Sequence, residues 1–189
     1  MKHLTVIIFT AILLIILSSS CRKTETQPEI QDGLTNVDED TIDINKIGID
    51  IKLYGKTIDG KDFNWDSLRG KYVLIQFTST YCVPCLEEIP NLRQAYQQYH
   101  TKGFEIVSVY LLDRIDITKK FVENEQLPWL IISENLTAKF KQTPHFIKYN
   151  INSVPKMLLV NKEGKIIDTN ARGQKLQTLL KKLLDGKES

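Results

Sequence analysis

The sequence predicts an α/β domain with a central mixed sheet covered by helices, and three observations carry the prediction. Runs rich in Val, Ile and aromatic residues at 72–77, 104–112, 128–132 and 157–160 alternate with helical patterns at 82–100, 117–126 and 174–184. The last strand turns at Asn161-Lys162-Glu163-Gly164 into a hairpin partner, Lys165 to Asp168, and a helix ends the order. No repeat or second domain interrupts the series, and such alternation implies a sheet packed on both faces.

Ahead of this core lie three segments of different composition. Lys2 precedes an apolar run from Leu4 to Leu17, broken only by Thr5 and Thr10, and Ser18-Ser19-Ser20-Cys21 follow. The run falls short of the roughly 20 residues of a spanning helix and has the basic, apolar, small-residue order of a secretory signal. Its ending resembles the lipobox of bacterial lipoproteins, which implies cleavage before Cys21 and lipid attachment to Cys21. Ser18 stands where that pattern has a large aliphatic residue, so an uncleaved anchor remains the alternative. Residues 1–20 are thus expected to be a signal peptide of lipoprotein type. Residues 21–47, polar and acid-rich, read as a flexible tether, and 48–189 as the folded domain. On either outcome the domain sits outside the cytoplasm, in the cell envelope, tethered to a bacterial membrane.

Within the domain, Ile49, Ile51 and Leu53 alternate with polar residues, and Asp59-Gly60 supplies a turn, which predicts an N-terminal β-hairpin extension. Trp65 to Gly70 is a short helical turn, and Tyr72 to Phe77 is the central strand. The helix after it carries Leu86, Ile89, Leu92, Tyr96 and Tyr99 on one face. Pro84 is tolerated in its first turn, Pro90 is expected to kink its interior, and Gly103 to end it. Asp116 is the expected cap of the next helix. Residues 136–149 carry helical fragments broken at Thr143-Pro144, and 139–152 form a connection of unassigned role.

The chemistry sits between the central strand and its helix, at Cys82-Val83-Pro84-Cys85. A helix start concentrates unpaired N–H groups and the positive end of the dipole, favouring a thiolate, the species that attacks disulfides. The second cysteine lies one turn on, able to resolve a mixed disulfide, so the motif reads as a dithiol/disulfide exchange centre. Zinc needs four ligands, and Cys21, His3, His100 and His145 show no ligand spacing. A purely structural disulfide gains little from so short a loop. The net charge of +2 gives no argument for nucleic acid. No cofactor is expected.

This order, with the motif after the first core strand and Val154-Pro155 before the hairpin, resembles the thioredoxin fold, and more narrowly the TlpA/ResA-type membrane-tethered disulfide reductases. The matching stretches are Leu68-Arg69-Gly70-Lys71, Cys82 to Pro90, Lys102 to Val107, and Val154-Pro155 with Asn161 to Lys165. The resemblance implies a redox disulfide Cys82–Cys85, with Cys82 as nucleophile and Cys85 as resolving thiol. It also implies a cis Pro155, and a Val154 backbone that pairs with substrate. Tyr81 takes the place of the usual tryptophan cover. Gln76 stands where cytoplasmic thioredoxins carry a buried acid, and glutamine cannot move a proton. Glu88 is the acid the resemblance offers for tuning the thiols, though an acid there also complements the helix dipole. The expected partners are a protein disulfide substrate, a membrane electron donor of the thiol–disulfide relay type, and the membrane itself through a lipid anchor. Cytochrome c maturation is one process in which such a reductase serves.

Reduction is the expected direction, because no Lys or Arg lies within the motif to stabilise the Cys82 thiolate. Two other readings share the fold. A peroxiredoxin-like peroxidase calls for Pro-x-x-x-Thr-x-x-Cys, whereas Ser79 stands three before Cys82 with no matching proline. A Cu(I)-binding metallochaperone suits two thiolates but wants a further His or Met.

Overall fold

The computed structural model describes residues 41–134 and 144–186. Strands β1 (Tyr72–Thr78), β2 (Phe104–Tyr110), β3 (Leu130–Ser133), β4 (Lys156–Val160) and β5 (Ile166–Asp168) form one sheet in the order β3-β2-β1-β4-β5. β1, β2 and β3 run parallel, while β4 pairs antiparallel with β1 and with β5. The helices are α1 (Val83–Glu87), α2 (Ile89–Tyr99), α3 (Ile115–Glu125), α4 (Pro144–Lys148) and α5 (Gly173–Leu180).

Both faces of the sheet are covered, which is why β1 and β2 read as near-continuous apolar runs, interrupted by Gln76, Glu105 and Ser108. On one face Val73, Ile75, Phe77, Leu158 and Val160 meet Ile51, Leu53, Trp65, Tyr149 and Ile151. On the other, Leu74, Ile106, Met157 and Leu159 meet Leu92, Ala95 and Tyr99 of α2 and Leu176 and Leu180 of α5. Each such side chain contributes about 1.5–3 kcal/mol on leaving water. Among the polar residues inside, Ser108 Oγ donates to Gln76 Oε1 at 2.8 Å and accepts Trp129 Nε1–H at 2.9 Å.

Several boundaries differ from the sequence reading. The packed chain begins before residue 48, since Ile44 is 2% exposed in the core and Ile42 N–H donates to Lys148 O at 2.8 Å. Residues 41–47 therefore belong to the packed domain rather than to the expected tether, because Ile42 and Ile44 find an apolar face that no local pattern announces. The N-terminal hairpin turns at Asp59-Gly60, where Phe63 N–H donates to Gly55 O and Thr57 N–H to Lys61 O, each at 2.9 Å, and Lys56 bridges Asp62. The rest of the extension's backbone joins the sheet, with bridges from Asp50 to Lys165 and from Thr57 to Ile132. Ile166 N–H donates to Ile49 O at 2.9 Å beside β5, and Ile58 N–H donates to Ile131 O at 3.0 Å beside β3. The extension thus covers both sheet edges, which would otherwise offer unpaired backbone groups to another chain.

The expected kinked helix is two helices, α1 and α2, meeting at Glu88. Pro90 has no N–H to give Leu86 O, which takes the Glu88 N–H instead, and Pro90 sits harmlessly in the first turn of α2. Gly103 ends the following 3-10 turn, His100–Lys102, in a left-handed conformation with φ 95°. α3 starts two residues earlier than expected, capped at Arg114, so Asp116 lies inside its first turn, paired with Arg114. The signal peptide, Cys21 and residues 135–143 lie outside the described residues. No described helix is long and apolar enough to cross a membrane.

Candidate active site

The motif lies where β1 leaves the sheet. Thr78 ends the strand, residues 79–81 turn, and Cys82 N–H donates to Ser79 O at 3.2 Å. Cys82 caps α1, its carbonyl accepting Cys85 N–H at 2.9 Å and Leu86 N–H at 3.1 Å. This turn holds the two cysteines with Cα atoms 5.2 Å apart, joined as a disulfide. The two sulfurs are not equivalent. Cys82 is half-buried at the rim, whereas Cys85 is 1% exposed beneath it. An incoming thiolate can reach only the first.

Around the rim, Tyr81 is 69% exposed and Val83 62%, so the cover expected of Tyr81 is an apolar surface open to a partner. The Val154–Pro155 peptide bond is cis, and both residues are half-buried. Lys156 pairs with Phe77 across the sheet, which puts Pro155 level with the end of β1, the end that delivers Cys82. Beside that loop lies a polar cleft of about 190 Å³ lined by Asn45, Asn150, Asn152, Ser153 and Lys156. Burial pulls the Lys156 amine below its ordinary value, and its Nζ donates to Asn45 Oδ1 at 2.7 Å.

The two polar side chains discussed from sequence are both engaged. Gln76 is held by Ser108 in the core. Glu88, half-buried at the α1–α2 junction, accepts the Gly173 N–H at 3.0 Å and Asn91 Nδ2–H at 3.4 Å. Its carboxylate thus caps the first turn of α5, 85 residues away in sequence.

Two buried acids had no place in the sequence reading. Asp113, 1% exposed after β2, accepts Thr80 N–H, Thr80 Oγ1–H and Ser79 Oγ–H. Glu134, just past β3, accepts from both the backbone and Nδ1 of His145. His145 Nε2 accepts Tyr54 N–H at 3.2 Å, so Nδ1 carries the ring proton. Both ring nitrogens are occupied, and the imidazole stacks on Tyr54 with centroids 4.1 Å apart. His145 is therefore a core histidine, not a free ligand for a metal. Among the described residues, no group of three or more His, Cys, Asp or Glu is arranged to hold a metal ion. The only sequence signal for Asp113 is an acid following the apolar stretch 109–112. For Glu134 with His145 there was none.

Comparison with known proteins agrees with this geometry. Residues 44–169 match the AhpC/TSA family. The chain is 31% identical over 133 residues to the thiol-disulfide oxidoreductase ResA of Bacillus thuringiensis, covering 70% of this chain and 69% of that one. Against ResA of Bacillus cereus it is 28% identical over 111 residues, spanning 59% of this chain but 61% of that relative's length. Among solved structures, the thioredoxin domain of a Bacteroides vulgatus thiol-disulfide oxidoreductase superposes with a TM-score of 0.64 at 27% identity, covering 76% of this chain and 99% of that one. A thiol:disulfide interchange protein from Bacteroides sp. gives 0.66 at 27% identity, covering 77% and 95%. The fold is thus the thioredoxin fold expected from sequence, and the chain belongs to the AhpC/TSA family as a ResA-like thioredoxin-fold protein.

Proposed function

We propose that this protein is an extracytoplasmic, membrane-tethered thiol-disulfide oxidoreductase that reduces protein disulfides through Cys82 and Cys85. The observation that carries the proposal is the asymmetric disulfide, an accessible Cys82 bonded to a buried Cys85, at the sheet end that also bears cis Pro155. In the reduced state the Cys82 thiolate attacks a substrate disulfide, forming a mixed disulfide and releasing one substrate thiolate. Cys85 then attacks Cys82 Sγ, releasing the second substrate thiol and closing the enzyme disulfide. Two electrons pass to the substrate, and a membrane dithiol donor restores them. The Val154 backbone beside Pro155 is the edge on which an extended substrate segment pairs, and exposed Tyr81 and Val83 give it an apolar footing. Lipid attachment at Cys21 supplies the tether.

Reduction rather than oxidation is supported by the absence of Lys and Arg from residues 81–88, so the motif itself supplies no cation to the Cys82 thiolate. The test is a titration of the full-length protein in detergent against dithiothreitol or glutathione buffers. A potential near roughly −270 mV supports a reductase, and one near about −120 mV an oxidant. A Cys85→Ser variant should accumulate mixed disulfides with envelope proteins through Cys82, and a Cys82→Ser variant none. The family match favours one other reading, a thiol peroxidase. Stoichiometric peroxide consumption by the reduced protein would establish it in place of disulfide reduction.

A further inference from the structure

Asp113 lies at the sheet end where β1 delivers the motif, and it organises the turn that carries Cys82. Its carboxylate accepts Thr80 N–H at 3.0 and 3.2 Å, Thr80 Oγ1–H at 2.6 Å and Ser79 Oγ–H at 3.2 Å. Ser79 Oγ in turn accepts Tyr81 N–H at 3.3 Å, and Ser79 O accepts Cys82 N–H at 3.2 Å. Four successive residues therefore hang from one carboxylate that is 1% exposed. Each of these contacts is a donor, the pattern an ionised carboxylate requires. Each is also neutral, so the charge is hydrogen-bonded but not cancelled. The nearest cation in sequence, Arg114, is turned outward onto Asp116. Glu87 is exposed, and Glu88 is committed to Gly173. Burial and then the Asp113 charge push the Tyr110 phenol well above its ordinary value, so the field of this carboxylate reaches its neighbours.

We propose that Asp113 is a positioning residue that holds the Ser79–Cys82 turn and, through its uncancelled charge, disfavours the Cys82 thiolate and so makes the dithiol a stronger electron donor. This rests on thiol–disulfide exchange at Cys82. A negative charge beside a thiolate raises the free energy of the reduced, ionised form relative to the disulfide, which shifts the couple toward oxidation of the enzyme and reduction of its substrate. The atoms and electrons are those of the exchange already written. Asp113 alters only its equilibrium.

The experiment compares full-length wild type, Asp113→Asn, Asp113→Glu and Thr80→Val by two measurements. One is the pH profile of Cys82 alkylation in the reduced protein, read at that residue by mass spectrometry. The other is the equilibrium constant against dithiothreitol. Asp113→Asn should lower the apparent Cys82 thiol pKa and shift the equilibrium about tenfold toward the dithiol, ~30 mV for a two-electron couple. Asp113→Glu keeps the charge and should restore both values toward wild type. Thr80→Val removes a donor while leaving the charge, so the thiol pKa should rise. An Asp113→Asn protein that loses stability with an unchanged thiol profile and equilibrium overturns the proposal, since a scaffold role alone would move neither. Should that variant not fold, a Thr80→Val thiol pKa that stays put or falls overturns it instead. The wild-type potential separately decides the direction of electron flow. An oxidising wild type that still shifts in Asp113→Asn would reject the reductase reading and keep Asp113.

Discussion

Ser108→Ala is the sharpest test of how the core beneath the site is held. Ser108 is fully buried, and its hydroxyl bridges two elements: it donates to Gln76 Oε1 of β1 at 2.8 Å and accepts Trp129 Nε1–H, ahead of β3, at 2.9 Å. Removing one oxygen leaves two buried polar groups unpaired at once. An unsatisfied buried group costs about 1–3 kcal/mol, so the variant should lose roughly 2–6 kcal/mol, and about 4 kcal/mol is the central expectation. For a domain near this size, each kcal/mol lowers Tm by ~2–4 °C, giving a fall of about 8–16 °C. The assay is urea unfolding of the full-length protein at neutral pH, with an unchanged dependence on urea confirming that stability alone has moved. Adding Gln76→Leu to Ser108→Ala removes the orphaned amide and should cost less than the sum of the single changes. A Ser108→Ala loss below ~1 kcal/mol would refute the reasoning, because Gln76 and Trp129 would then have other partners.

Three further outcomes are expected. Ile44→Ala should destabilise the domain by about 2–4 kcal/mol in the same urea assay, as truncation of a buried core residue does. A neutral result would return residues 41–47 to the tether. Glu88→Ala should cost roughly 1 kcal/mol by uncapping α5. Its Cys82 alkylation profile should stay unmoved, and a clear shift in that profile would show instead that Glu88 tunes the thiols. Finally, burial, first among the causes, pushes the Tyr96 and Tyr149 phenols up to about 12 from an ordinary value near 10. A raised folded value favours the protonated phenol, so this contribution is complete below pH 10 and is lost as pH climbs toward 12. Phenolate absorbance should therefore lag free tyrosine until unfolding in that window, whereas ordinary titration near pH 10 in the folded state would contradict it.

Much of this molecule was legible from local pattern. The apolar run of β1, the Cys-x-x-Cys after it, Gly103 at the helix end and the Asn161–Gly164 turn are short-range signals, because periodicity and turn chemistry act within a few residues. The helix break has a local reason too. Pro90 is expected to kink the helix interior, yet the freed Leu86 carbonyl is claimed by Glu88, and the chain restarts a helix there.

What the tertiary structure decided is where charge goes when it is buried. Nothing within a few residues of Asp113 points to Ser79 and Thr80, more than 30 positions away, and nothing near Glu88 points to Gly173. Those partners exist because the parallel order β3-β2-β1 brings the ends of three strands to one edge of the site and α5 packs against α2. Local pattern alone places the Cys82–Cys85 pair and the fold that carries it. The partners of the buried acids depend on which elements become neighbours, and desolvation, severe for an unpaired carboxylate, makes each of them take the donors that the sheet order supplies.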